Sequence, residues 1–146
     1  MSKRDGDICR IRLLVVDDDH DVNSTLCAML TKNYPTQCIL SAHDAESALQ
    51  AVSEYEPDII IVDVMMPKCD GIGLTPLLMK GREDRIIIHM SAKTDYELIN
   101  ECYEAGSRYF IRKPIEFERL FYKLDSLIVD LFYQRFKKGK KRCLMI

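Results

Sequence analysis

Short apolar runs alternate with amphipathic segments from one end of this chain to the other, and that alternation restricts the fold more than any other feature. Residues 11–16 (IRLLVV), 37–42 (QCILSA), 58–62 (DIIIV), 85–90 (RIIIHM) and 108–111 (RYFI) read as five strands. Helical segments fill the gaps: about Asp21 to Asn33, the stretch DAESALQAVSEYE with Asp44 as its N-cap signal, Gly73 to Lys80, Thr94 to Ala105, and a last helix from near Glu116. Gly106 ends the fourth helix, and Pro76 is tolerable only if it lies in the first turn of the third. DIIIV is apolar throughout, as a central strand covered on both faces must be. Five strands alternating with five helices imply an α/β fold, a doubly wound parallel sheet with helices on both faces. In such sheets ligands sit beyond the carboxyl ends of the strands, where strand order reverses.

A chain of 146 residues suits one compact domain. No apolar run approaches the roughly 20 residues of a membrane-spanning helix, and the N-terminal MSKRDGDICR lacks the apolar core of a secretory signal. The six cysteines (Cys9, Cys27, Cys38, Cys69, Cys102, Cys143) are scattered without a C-x-x-C pair, which argues against a disulfide framework or zinc site and for reduced thiols in a cytoplasm. His20, His43 and His89 have no metal-ligand spacing and read as structural.

Residues just after each strand are therefore the ones to compare. Asp17, Asp18 and Asp19 follow the first, Asp63 the third, Ser91 the fourth and Lys113 the fifth. Like charges in a row repel, and an ionised carboxylate is costly to bury without compensation. A hard divalent cation such as Mg²⁺, which takes oxygen ligands, would offset that repulsion. Asp17 or Asp18, together with Asp63, can supply the carboxylates, and Asp19 reads as the cap of the first helix.

The pattern D-D, then D-x-x-M-P-x-x-D-G, then S-A, then K-P, each after its own strand, resembles the receiver domain of two-component response regulators across roughly residues 10 to 126. The resemblance implies the flavodoxin-like (βα)5 receiver fold. It implies Asp63 as the phosphorylation site, taking a phosphoryl group from a histidine kinase or histidine phosphotransfer protein. It implies Mg²⁺ held by Asp17, Asp18 and Asp63 with the Met65 backbone carbonyl, and Lys113 paired with the phosphoryl oxygens. Ser91 and Phe110 match the switch pair, and Lys113–Pro114 matches a bond usually cis in the family. The residue types fit the chemistry independently, because phosphoryl transfer asks mainly for positioning and charge neutralisation.

Ile115 replaces a frequent Phe after K-P, while Met65 and Lys93 fill the variable positions beside the site. Neither is a water-positioning acid or amide, so a long-lived phosphoryl state is expected. Haloacid dehalogenase-type phosphatases, the enzymatic alternative, carry D-x-D-x-[TV] on their first strand; this chain has adjacent aspartates there and its nucleophile candidate on the third. A phosphoreceiving signalling domain, not an enzyme acting on external substrates, is the expected class. A purely interaction module on the same fold is the blander alternative.

The expected organisation is a receiver domain over 8–126, an extension of the last helix with a polybasic tail over 127–142, and a C-a-a-X-like motif at 143–146. Too few residues follow 126 for an output domain, so the receiver is expected to stand alone. LIVDLFYQRF is expected to project past the sheet with its apolar side chains, inviting a downstream protein or a second copy to form a homodimer. Lys137, Lys138, Lys140, Lys141 and Arg142, set against a net charge of −2, leave the remainder at −7. An acidic body with a basic tail is not a nucleic-acid binder's distribution, and no nucleic-acid partner is expected. Cys143-Leu144-Met145-Ile146 fits the prenylation signal with a polybasic stretch upstream, which would anchor the protein through Cys143 to the cytosolic face of a membrane. Prenylation enzymes are eukaryotic and lone receivers mostly bacterial; a eukaryote with phosphorelays, or a bacterial protein entering a host, reconciles the two.

Overall fold

The computed structural model describes residues 10–144, with side chains to residue 137. Its order is β1 (Arg12–Val16), α1 (His20–Asn33), β2 (Cys38–Ala42), α2 (Ala45–Tyr55), β3 (Ile59–Asp63), α3 (Gly71–Met79), β4 (Ile86–Ser91), α4 (Tyr96–Ala105), β5 (Ser107–Arg112) and α5 (Phe117–Leu144). All five strands are parallel, in the order β2-β1-β3-β4-β5. The chain runs outward from β1 to β2 and then returns past β1 to β3, so strand order reverses between β1 and β3. The crevice beyond their carboxyl ends is the place for a ligand.

Period-two alternation divides each strand between two apolar layers. Leu13, Val15, Ile59 and Ile61 face Leu26 and Leu30 of α1 and Leu120, Leu124, Leu127 and Ile128 of α5. Leu14, Val16, Ile60 and Val62 face Ala48 of α2 and Leu74 and Leu78 of α3. Every residue of β3 is buried, as its unbroken apolar run requires of a strand with helices on both sides.

Four helices start on an aspartate whose carboxylate accepts backbone N–H groups of the first turn: Asp19, Asp44, Asp70 and Asp95. These caps set the boundaries that apolar spacing leaves loose. Asp95 delays α4 to Tyr96, past the expected Thr94, and Asp70 starts α3 at Gly71 instead of Gly73. Pro76 consequently lies at the sixth position of α3, beyond the first turn. It is exposed, and it leaves the carbonyl of half-buried Ile72 without its helical donor.

The segment LIVDLFYQRF, expected to project past the sheet with its apolar side chains, instead lies against it along one face while Val129, Tyr133 and Phe136 stay exposed. Leu127 and Ile128 are buried, and Leu131 and Phe132 pack against the same core. Arg135 donates to Asp58 Oδ1 at 2.6 Å and to the Arg10 carbonyl at 2.9 Å. A buried carboxylate at the amino end of β3 thus holds α5 against the domain well past residue 126.

Candidate functional site

The three aspartates after β1 take three different jobs. Asp17 is fully buried; its Oδ1 accepts the Asp19 backbone N–H at 3.0 Å, and its Oδ2 accepts from Lys113 Nζ at 2.9 Å. Asp18 is half-buried and Asp19 caps α1, as its sequence position implies. Buried Asn23 braces the turn from below, donating from Nδ2 to the carbonyls of Asp17 at 3.1 Å and Ala42 at 2.9 Å.

Asp63 ends β3 and is 5% exposed. Its Oδ1 accepts the Met65 N–H at 3.3 Å, and its Oδ2 lies 3.4 Å from Lys113 Nζ. Carboxylate oxygens of Asp17, Asp18 and Asp63 lie within 4.8 Å of one another, the one such acidic cluster among the described residues. Burial, followed by the Asp17 charge, pushes the Asp63 carboxyl up to about 6, with Lys113 pulling the other way. Burial alone would lower Lys113; its hydrogen bond to Asp17 and the charges of Asp63 and Asp17 outweigh that and raise it, so the ammonium stays charged.

Three carboxylates against one ammonium leave two uncompensated negative charges. A divalent, oxygen-seeking cation fits that donor set, and the raised Asp63 registers the same excess of negative charge. The Met65 side chain is exposed, its backbone bridged to Asp70, which caps α3.

The other expected residues stand at the same sheet edge. Ser91 ends β4, fully buried, and its Oγ accepts the Lys93 N–H at 3.0 Å. The Lys113 N–H donates to the Ser91 carbonyl at 2.9 Å, tying the ends of β4 and β5 together. Phe110 is half-buried and pairs with His89 across the sheet; strand alternation places it on the face opposite Tyr109 and Ile111, which pack toward α5. The Lys113–Pro114 peptide is cis. Cys143 lies beyond the described side chains, and the 143–146 motif runs outside the described residues.

Two features were not found by reading the sequence. Gly71, visible only as part of a motif, lies so close to the end of β3 that a β-carbon there would collide with the Asp63 carbonyl. His20 and His43, 23 positions apart in the chain, stack with ring centroids 4.0 Å apart. With Asp18, Glu46, Lys68 and Cys69 they line a cavity of about 490 Å³ beside the acidic cluster. Nothing in their spacing signals this, because α1 and the β2–α2 turn meet only in the folded sheet.

This fold and this site define a class. Residues 13–125 match the response regulator receiver domain model, and the chain belongs to that family. It is 31% identical over 118 residues to the response regulator MprA of Mycobacterium ulcerans, covering 81% of this chain and 50% of that protein. It is 33% identical over 106 residues to protein-glutamate methylesterase/protein-glutamine glutaminase 2 of Rhodospirillum rubrum, covering 72% of this chain and 29% of that one. The chain thus spans about half the length of MprA and less of the methylesterase. Among solved structures, the signal receiver domain of a DNA-binding response regulator from Colwellia psychrerythraea superimposes with a TM-score of 0.77 at 21% identity, over 81% of this chain and 98% of that domain, a likeness of fold.

Proposed function

We propose that this receiver domain is a Mg²⁺-dependent phosphoryl acceptor in a two-component phosphorelay, with Asp63 as the residue modified. The observation that carries this reading is the meeting of Asp17, Asp18, Asp63 and Lys113 at the β1/β3 crevice. An Asp63 carboxylate oxygen attacks the phosphorus of a phosphohistidine on a histidine kinase or histidine phosphotransfer protein. The new P–O bond replaces the P–N bond, and the leaving imidazole nitrogen keeps the electron pair. Lys113 neutralises charge on the transferred group, while Asp17, Asp18, Asp63 and the Met65 carbonyl would hold Mg²⁺. When bound, the metal supplies the remaining neutralisation that lets an anionic nucleophile approach an anionic donor. Incubation with a small phosphoryl donor should add one phosphoryl mass only with Mg²⁺ present; equal labelling in chelator would sink the reading.

Ser91 and Phe110 carry the response in this proposal, the hydroxyl turning to the phosphoryl oxygens and the ring following on the α4 side of β5. The signal then leaves through the β5/α5 face to a downstream protein or a second copy. Met65 and Lys93 flank the site without positioning a water, which favours slow hydrolysis. Lys113→Ala is expected to retain Mg²⁺ binding but lose the beryllofluoride-induced change in amide spectra around Phe110. A full response in that variant would remove the lysine from the switch. A haloacid dehalogenase-type phosphatase is not favoured, since the match is to receivers and the candidate nucleophile is on β3.

At the C-terminus we propose lipidation of Cys143, with the basic stretch as the second anchoring signal. This requires the chain to end at Ile146, which intact mass after expression in cells containing prenyltransferases tests together with the lipid. Among the described residues no helix is long and apolar enough to cross a membrane. Cys143→Ser is expected to weaken membrane association in such cells; a distribution unchanged by the substitution would mean that Cys143 carries no lipid anchor.

A further inference from the structure

The inward face of α5 is held firmly enough to fix what the helix shows to the outside. Leu120, Leu124, Leu127 and Ile128 turn onto the sheet, and the Arg135–Asp58 contact at 2.6 Å pins the helix beyond them. Opposite that face, Tyr122, Val129, Tyr133 and Phe136 are 76%, 63%, 63% and 68% exposed. Their spacing of seven, four and three residues lines them along one side of the helix. Scattered exposed apolar residues need no explanation; an aligned stripe does.

We propose that the C-terminal part of this stripe, Val129, Tyr133 and Phe136, is a membrane-contact surface that enters the headgroup region of an anionic bilayer. The inference rests on the membrane reading of the C-terminus given above and adds the side chains that touch lipid; it requires no lipid on Cys143. Charge selects the occupant. Around Tyr122, Arg119 and Lys123 balance Glu118 and Asp125, and Asp125 and Asp130 flank Val129, whereas Lys137 directly follows Phe136 and opens a run of five cations ending at Arg142. The stripe therefore becomes more basic toward its C-terminal end, the arrangement of an interfacial helix drawn to acidic lipids. Tyrosine suits the headgroup boundary, where its ring is buried and its hydroxyl stays wet, and phenylalanine adds purely apolar contact.

A second copy fits less well. Aromatic side chains offer about 150–250 Å² each, so the stripe presents on the order of 500 Å², short of the roughly 800 Å² per partner of a stable dimer. Side-by-side helices of the same polarity would also bring two runs of five cations together. Orientation agrees with a lipid surface. α5 follows β5 and runs back toward the amino ends of the strands, where Asp58 receives Arg135. Val129, Tyr133 and Phe136 consequently lie toward the sheet edge opposite Asp63, and a bilayer there leaves the acidic pocket open to protein partners.

The test uses unlipidated full chain, sedimented with vesicles of mixed phosphatidylserine and phosphatidylcholine. Binding is expected to the mixed vesicles, to weaken with added salt, and to be slight on phosphatidylcholine alone. Val129→Glu, Tyr133→Glu and Phe136→Glu should each weaken it about tenfold or more, while Tyr122→Glu leaves it unchanged. All four positions are exposed, and circular dichroism verifies that each variant is folded. No binding by the parent overturns the inference, as does undiminished binding by the combined Val129→Glu/Tyr133→Glu/Phe136→Glu chain, which would assign everything to the tail. A solution dimer that Phe136→Glu dissociates would assign the stripe to a second copy instead. The Cys143→Ser localisation reads lipidation separately, so either idea can fail without the other.

Discussion

Asp63→Asn is expected to abolish phosphoryl labelling and, without metal at neutral pH, to make the protein more stable. The two effects share one cause. The Asp63 carboxyl is raised from its ordinary 3.8 to about 6, first by burial and then by Asp17. Below the ordinary value both folded and unfolded chains are protonated there, and the residue is neutral in the fold. As pH rises through about 6 the folded state must ionise a group it holds unfavourably, and stability falls. The cost at pH 7 is on the order of 2–3 kcal/mol. Asparagine keeps the shape without the charge, and Lys113 keeps Asp17 at 2.9 Å. Urea unfolding should thus show a gain of about 1–3 kcal/mol for the variant at pH 7, vanishing toward pH 4. Mg²⁺ should narrow the difference by stabilising the parent more. Equal stability of the two proteins across this range would show that Asp63 bears no electrostatic strain, and labelling of the variant would move the acceptor elsewhere.

How much of this was readable from the chain follows from what each feature depends on. Strand and helix order was readable because burial on both faces forces unbroken apolar runs such as DIIIV, and parallel pairing follows from the alternation. Asp17, Asp18, Asp63, Ser91 and Lys113 were readable because each stands at or just beyond the carboxyl end of an apolar run, and parallel strands end on one edge. The division of labour among neighbouring aspartates was only partly so, since Asp17 and Asp18 differ in burial, not type. Helix starts at Gly71 and Tyr96 depended on caps by Asp70 and Asp95, which apolar periodicity does not register. The Arg135–Asp58 contact joins residues 77 positions apart, and no local pattern announces it.

Two glycines of α3, two residues apart, should respond to alanine in opposite directions. A β-carbon at Gly71 would overlap the Asp63 carbonyl oxygen and press on the Asp63 and Val64 backbone. Backbone cannot yield as a flexible side chain would. The Gly71 N–H also bonds the Val64 carbonyl at 3.0 Å, so the turn closes on itself at the place where the extra carbon must fit. Gly71→Ala must push α3 away from the end of β3 or displace Asp63, at an expected cost of about 3 kcal/mol or more, a large share of a typical domain's stability. Any Asp63 displacement reaches the acidic pocket, so Mg²⁺ affinity should fall as well. Gly73 meets nothing within 4 Å, is exposed, and lies in the same helix. Alanine there only removes backbone freedom from the unfolded chain, and Gly73→Ala should stabilise by about 0.5–1 kcal/mol with Mg²⁺ binding unchanged. Denaturant midpoints of the two variants decide the matter. A Gly71→Ala protein as stable as its parent would mean that the glycine of the D-x-x-M-P-x-x-D-G stretch is not required by the approach of α3 to Asp63.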